Sequence, residues 1–575
     1  LESEHFQSLA QIVSGHAQKR GSRDAIIYLE RGESETERIS YRELVTLIDS
    51  FCAGLLAAGL AGEPIMIALP GGIPFIALFL ACLRIGTVAI PAPLPDNDRN
   101  IARIAAMLAD CRPTAIVTDD ASSLRLARAD LSTPIAVIDE LHKIPVAAPA
   151  QSADPSRIAF VQYTSGSTRN PKGVAVTHGN LIANTRMIQQ AFGLNESLIG
   201  ANWLPHFHDM GLIGTILQPL FNGGTAVLMP PRAFVQKPLR WLQAIEKYRS
   251  DTAGGPCFGY ELCTRMISAE QARTLDLSSW RVAFCGAEPV RASVLEKFAE
   301  HFAGAGFRAE AFLPCYGLAE TTLITSAAAP STGVAQKEIV IRGATALRRN
   351  VVSCGCAVEG SSIVLRDESG HVGRSGNELG EICVSGPHVS PGHWYGVNRS
   401  VTPFADVFVH GGAEYLPTGD IGAFVDGELF PIDRISDIII LFGANIHAAD
   451  VEATALDDPE APDVRAAAAF AVDDGNREKL VLLCELDRQA FRTFEHGALA
   501  EYLRKRVAEE HGVVPLIGFV AYGTLPRTSS GKIQRSDSRK KLLSDDPPMI
   551  KVDADTGIAF SELRRNALIH AKHSV

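Results

Sequence analysis

The sequence predicts an α/β protein with a large N-terminal domain of doubly wound sheets, a β-rich subdomain and a small C-terminal α/β unit. Three observations carry this. Short apolar strand patterns alternate with helical ones from the start of the chain, glycine-rich short strands take over after about Val351, and a second strand–helix alternation begins near Arg434.

In chain order, EPIMIAL reads as a strand, PFIALFLACLR as a helix, TVAI as a strand, RNIARIAAMLAD as a helix and TAIVT as a strand. Apolar strands this short, set between helices, imply a parallel sheet covered on both faces. The alternation continues through RVAFCGAE, a helix near VLEKFAEHF and the stretch FRAEAFLPCYG. SSIVLRDESGHVG and the segment from Glu378 to Gly386 supply the glycine-punctuated strands of the β-rich part. In the last unit NIHAADVEATAL reads as a helix, RAAAAFAV and KLVLLCEL as strands, and ALAEYLRKRVAEE as a helix. From SDDPPMIKVDADTG onward the Asp and Pro content reads as linker. The expected division is therefore 1–434, 435–545 and a tail or linker, 546–575, and no internal repeat is visible.

At 575 residues the chain exceeds one ordinary domain, and 46% apolar with 21% charged residues is the balance of a globular protein with a sizeable core. The net charge of -11 and the lack of a basic stripe argue against nucleic acid as a partner. Eleven scattered cysteines without paired zinc spacing read as reduced cytoplasmic thiols. The apolar run from Ile73 to Ile90 raises the question of a membrane span, but Pro74, Arg84 and Gly86 divide it into a buried helix and a buried strand, so no span is expected. LESEHFQSLA is acidic and has no basic region followed by an apolar one, hence no export signal, and Leu1 in place of Met suggests an engineered start or an excised part of a longer protein.

Chemistry concentrates first in TSGSTRNPKGV, Thr164 to Val174, between the strand IAFVQY and the helix opening at THGNLIANT. Glycines let backbone N–H groups approach oxygens, hydroxyls donate further bonds and Lys172 adds a point charge, which together make a phosphate cradle. It is not a Walker A loop, where lysine follows the last glycine and precedes Ser or Thr. In PHFHDMG, His206, His208 and Asp209 could be read as metal ligands, although no further ligand follows at suitable spacing.

Six more stretches follow in order: WLPHFHDMGLIG, FCGAEPV, CYGLAETTL, YLPTGDIG, DRISDIIILFGAN and RTSSGKIQR. With the phosphate loop they resemble the adenylate-forming superfamily across nearly the whole chain. HDMGLIG, GGPCFGYELC, LDLSSWRVAFCGAEPV and YGLAE are most similar to the fatty acyl-AMP ligases. The resemblance implies a small C-terminal domain that is mobile, and ATP and Mg2+ as cofactors. It implies that Thr164, Ser165, Gly166, Ser167, Thr168 and Lys172 hold the β- and γ-phosphates, that Glu320 binds magnesium, that Tyr316 and Gly317 lie near the adenine, and that Gly286, Ala287, Glu288 and Pro289 line its pocket. Asp420 matches the acid that accepts both ribose hydroxyls, for which a carboxylate has two acceptor oxygens. Arg434 matches an arginine reaching the nucleotide from the domain boundary, and Lys532 the lysine bridging acid and α-phosphate, where charge develops during displacement. His208 falls between the acid and the phosphates, with His206, Met210, Gly211 and Leu212 on the substrate side.

Three positions depart from the family pattern. The hinge reads Asp433-Arg434-Ile435-Ser436-Asp437, without the first glycine and the hinge lysine, and Arg169 stands where many superfamily loops carry glycine. Apolar Met210, Leu212 and Ile213, in place of an aspartate for a substrate ammonium, favour an acid with an apolar tail. The connection Ile324 to Asn350 is similar, in shortened form, to the insertion that separates acyl-AMP ligases from acyl-CoA ligases, and it also reads simply as a loop. GANIHAADVE resembles the acyl-AMP ligase version too. The implied reaction is ATP-dependent activation of a fatty acid, followed by transfer to the pantetheine thiol of an acyl carrier protein. An acyl-CoA ligase using free CoA and a catalytically silent nucleotide-binding regulator stay open as alternatives.

Overall fold

The computed structural model describes residues 8–129, 132–142, 154–163, 171–341, 347–367, 369–373, 379–441, 444–456, 458, 460–461, 463–473, 478–493, 496–528, 531–544, 547–551 and 563. Thr164 to Thr168 and Arg169 lie outside the described residues.

Two large sheets form the N-terminal domain. In one, Pro64–Ala68 lies between Val88–Pro91 and Ala115–Thr118, all parallel, and Ile158–Tyr163 continues the parallel run beyond Val88–Pro91. In the other, Ile199–Asn202, Thr252–Gly255, Val282–Cys285 and Phe312–Tyr316 run parallel in that order. Their interior strands are buried on both faces, which is why they read as unbroken apolar runs. The carboxyl ends of Val282–Cys285 and Phe312–Tyr316 are neighbours and open onto Gly286 and Gly317 respectively. Carboxyl ends of parallel strands are where α/β sheets bind ligands.

The run that raised the question of a span is the helix Ile73–Ile85, with Pro74 in its first turn and Gly86 at φ +75° closing it, followed by the strand Val88–Pro91. Proline fits a first turn because its missing N–H has no partner there anyway, and glycine alone takes the left-handed cap without strain. Among the described residues no helix is long and apolar enough to cross a membrane. Tyr260, Trp280, Phe298, Phe307 and Phe312 fill the core beside the second sheet, their edge-to-face centroid separations running from 5.0 to 6.0 Å.

The β-rich part is a third, antiparallel sheet in which Ala413–Val425 pairs with both Gly380–Ser385 and Glu428–Arg434. The segment Ile324 to Asn350 is not a plain loop: it carries one strand and most of another of an antiparallel hairpin, Gln336–Ile341 with Leu347–Val352. Ile339 and Val351 on its inner face pack on Ala423, Phe430 and Ile432 of the third sheet.

The small C-terminal domain has a core of its own, built on Val464–Asp473 antiparallel to Glu478–Leu486, with Leu516–Ala521 parallel to the latter. The stretch NIHAADVEATAL divides differently from the sequence expectation. Ala444–His447 is a strand paired with Ile438–Leu441, and the helix is only Ala448–Leu456. Ile446 is buried in the small domain's core through that hairpin, a tertiary contact that local helix propensity does not see. Within the segment read as a tail, Lys551 bridges to Phe519 and Leu563 is buried against Phe470, Val481 and Leu542.

Candidate active site

Two cavities meet at the carboxyl ends of Val282–Cys285 and Phe312–Tyr316. The first is bounded by Ala287, Glu288, Pro289, Tyr316 and Gly317 from the large domain, Asp420 and Arg434 from the third sheet, and Lys532 from the small domain. Asp420 and Arg434 meet because they sit opposite each other in the antiparallel pair Ala413–Val425 and Glu428–Arg434. The Arg434 Nε donates to Asp420 Oδ1 at 3.0 Å, and the Tyr316 hydroxyl donates to Asp420 Oδ2 at 2.8 Å. Each carboxylate oxygen thus has one protein donor. Burial, with Asp420 beside it, raises the Tyr316 phenol well above its ordinary range, so it stays a hydrogen-bond donor.

Gly286 and Gly317 are required by packing. A Cβ on Gly286 would lie 2.7 Å from the Cys315 carbonyl oxygen, and one on Gly317 would lie 1.6 Å from that of Leu323. Ala287 holds φ +67°, a left-handed conformation an L-residue adopts only under the surrounding constraint. We expect Gly317→Ala to cost at least about 1–3 kcal/mol by overpacking and to displace Tyr316 and Glu320 on either side. A thermal melt run beside an adenylation assay checks this, and a wild-type melt with wild-type rate would show that the turn can shift freely.

The second cavity is apolar and shares Ala287, Cys315, Tyr316 and Gly317 with the first. Its remaining wall includes Ile188, Phe192, Met210, Gly214, Phe284 and Leu323. Met210–Leu217 is a π-helix, a rare form concentrated at functional sites. Asp209 starts it by accepting the Met210 N–H at 2.6 Å, and His208 Nδ1 lies 3.4 Å from the same oxygen. The buried Nε2 of His208 has no hydrogen-bond partner among the described residues. The Glu320 carboxyl is raised by burial, with Asp209 and Asp420 adding repulsion and Arg434 opposing it.

Of the residues expected on the acid side, Met210 lines this cavity while three others do not. Leu212, two residues after Met210 and so on the other face of the helix, is fully buried in the core. Gly211 packs where a Cβ would be 2.0 Å from the Pro205 carbonyl oxygen. His206 is buried edge-on to Phe75 at 4.5 Å, and burial lowers its pKa to about 4, so it is a neutral packing residue. Lys172 is exposed at the foot of Gly173–Thr177, near His393, and lines neither cavity.

Lys532 is positioned by its own loop and by the residues after it. Its N–H donates to Thr528 Oγ1 at 3.0 Å and its carbonyl accepts from the Thr528 N–H at 2.7 Å. Gly531, at φ +89°, fits so closely that a Cβ would meet Phe258 at 2.9 Å. The Phe258 N–H in turn donates to Glu288 at 3.0 Å. Arg535 forks onto Glu452 at 2.7 and 2.8 Å and also pairs with Asp437 in the hinge. Burial lowers the Lys532 pKa, Arg434 and Arg535 lower it further, and Asp437 and Glu288 oppose them. Sequence reasoning missed Phe258 and Arg535 as parts of this site, although Arg535 stands inside GKIQR, and it named Asp209 only in a possible metal set with His206 and His208.

Comparison with known proteins gives a consistent picture. Residues 13–394 match the family described as AMP-binding enzyme. The chain is 35% identical to a medium-chain-fatty-acid–[acyl-carrier-protein] ligase of Moorena producens, over 98% of this chain and 100% of the relative. It is 32% identical to a 4-hydroxyphenylalkanoate adenylyltransferase of Mycobacterium tuberculosis, over 93% and 92%. Among solved structures, a fatty acyl-adenylate ligase from a study of the E. coli and L. pneumophila enzymes superposes with TM-score 0.82 at 31% identity, over 93% of this chain and 97% of that one. The L. pneumophila enzyme in complex with acyl adenylate and pyrophosphate gives 0.72 at 31%, over 96% and 98%.

Proposed function

Because the chain belongs to the AMP-binding enzyme family and matches a medium-chain-fatty-acid–carrier-protein ligase over its full length, we propose the following reaction for its two joined cavities. The protein activates a fatty acid with ATP to an acyl-adenylate, releasing pyrophosphate, and then passes the acyl group to the phosphopantetheine thiol of an acyl carrier protein. In the first step a carboxylate oxygen of the acid bonds to the α-phosphorus and the bond to pyrophosphate breaks. In the second, sulfur bonds to the acyl carbon and AMP leaves.

The observation that carries this reading is the shared wall. An apolar cavity and a polar one meet at Ala287, Tyr316 and Gly317, so an apolar tail and a nucleotide can be held with their reactive ends together. Asp420 receives the ribose hydroxyls, Tyr316 and the turn Gly286–Pro289 enclose the base, and Thr164–Thr168 with Lys172 take the outer phosphates. His208, whose buried Nε2 has no partner among the described residues, serves the junction of acid and phosphate, and Lys532 steadies the charge that develops there. Glu320 and Asp209 fit magnesium, since their mutual repulsion in a buried setting is relieved by a hard cation held by one or two carboxylates and the substrate phosphates. Bound there, the metal neutralises phosphate charge. The small domain, from 435 to 545, turns about the segment after Arg434, and a cytoplasmic setting fits the eleven free thiols.

ATP–pyrophosphate exchange driven by acids of increasing length tests the reading. Each methylene buried in the cavity is worth about 0.8 kcal/mol, so the specificity constant rises from acetate through octanoate. Equal constants for acetate and octanoate, or a preference for amino acids, would refute it.

A further inference from the structure

Resting on that reading, the wall of the acid cavity shows what limits the tail. The residues shared with the nucleotide cavity, Ala287, Cys315, Tyr316 and Gly317, mark the end where the carboxyl group lies. On the unshared wall Phe192 and Phe284 stack with centroids 6.1 Å apart and planes 28° from parallel. Both are buried, at 7% and 4% exposure. Phe192 caps the helix His178–Ala191 with its N–H donated to the Ile188 carbonyl at 3.0 Å, and Gly193 turns the chain at φ +62° directly after it. Gly214 of the π-helix also lines the cavity and contributes no side chain, and the space its Cβ would take reaches 3.3 Å from Leu323.

We propose that the stacked Phe192–Phe284 pair is the stop that sets the maximum tail length, and that Gly214 keeps open the path to it. A tail gains about fourfold in specificity for each methylene it buries up to the stop. One more methylene must displace a buried ring from a close-packed wall, and specificity falls. Phe284 stands only two residues before the turn Gly286–Pro289, so Phe192 is the residue to change.

The test measures kcat/KM for ATP–pyrophosphate exchange with butyrate, octanoate, dodecanoate and hexadecanoate, each below its aggregation limit. Phe192→Ala is expected to move the maximum toward longer acids and to raise the hexadecanoate-to-octanoate ratio by roughly tenfold or more, about two methylenes' worth. Gly214→Ala is expected to move it toward shorter ones. Should Phe192→Ala fail to fold, as a thermal melt would reveal, Phe192→Leu and Gly214→Ala decide the matter by the direction of their shifts. Length profiles superimposable on wild type in folded, active variants would overturn the proposal alone. Wild-type protein that exchanges with no acid at all would overturn the functional reading and the proposal together.

Discussion

Lys532→Ala is expected to lower acyl-adenylate formation by roughly 10²–10³-fold while leaving ATP affinity nearly intact, the cost typical of losing one fixed group that stabilises developing charge. The argument is positional. The lysine comes from the small domain, whereas Tyr316, Asp420 and Arg434, which line the cavity proposed for the nucleotide, belong to the large one and hold one another at 2.8 and 3.0 Å without it. Its neighbours Glu288 and Asp437 on one side and Arg434 and Arg535 on the other balance its charge, so removing the ammonium leaves no single buried partner stranded. Stopped-flow adenylation and equilibrium binding of a nonhydrolysable ATP analogue separate the two effects. Wild-type adenylation in the variant, or loss of ATP binding equal to the loss of rate, would refute the assignment.

How much of this was legible in the sequence depends on the range of the contacts. The parallel strands were readable because burial on both faces leaves only apolar residues, as in Pro64–Ala68 and Val88–Pro91. Several residues named from FCGAEPV, YGLAE and PTGD do border one cavity, Ala287, Glu288, Pro289, Tyr316, Gly317 and Asp420, although PTGD lies within the strand Ala413–Val425 and not in a turn. Partners far apart in the chain were not legible. Arg535 finds Glu452 across 83 residues and Asp437 across 98, and nothing local in GKIQR announces either. The π-helix defeated the reading of HDMGLIG in a different way. Met210 and Gly214, four residues apart, line the apolar cavity while Leu212, two residues on from Met210, turns into the core, whereas the sequence reading places Met210 and Leu212 on one side. Phe192, at the end of an ordinary amphipathic helix, reads as plain core in any sequence.

The acyl group is expected to go to a pantetheinylated carrier protein and only slowly to free CoA, with the hairpin Gln336–Ile341 and Leu347–Val352 responsible for part of that choice. The hairpin is anchored on one face by Ile339 and Val351, buried against Ala423, Phe430 and Ile432 in the sheet that runs into the hinge, and at its edge by an ion pair of Lys337 with Asp426. Gln336, Arg348 and Asn350 face the other way, into a cavity of about 610 Å³ between the domains whose opposite wall includes Asp450, Arg506 and Lys532. A rotation of the small domain for the proposed thiol step would move that wall relative to the hairpin. A carrier that contacts both domains can supply differential affinity for the rotated state, and free CoA, with far less surface, supplies less. A bias of only about 1.4 kcal/mol makes a tenfold difference between the acceptors. Incubating the intact protein with ATP, octanoate and either CoA or a pantetheinylated carrier, and repeating with the hairpin shortened, measures the choice. The shortened protein should gain roughly tenfold or more in acyl-CoA formation with adenylation unchanged. Rapid acyl-CoA production by the intact protein would make it an acyl-CoA ligase, and an unchanged acceptor ratio after shortening would clear the hairpin of any part in the selection.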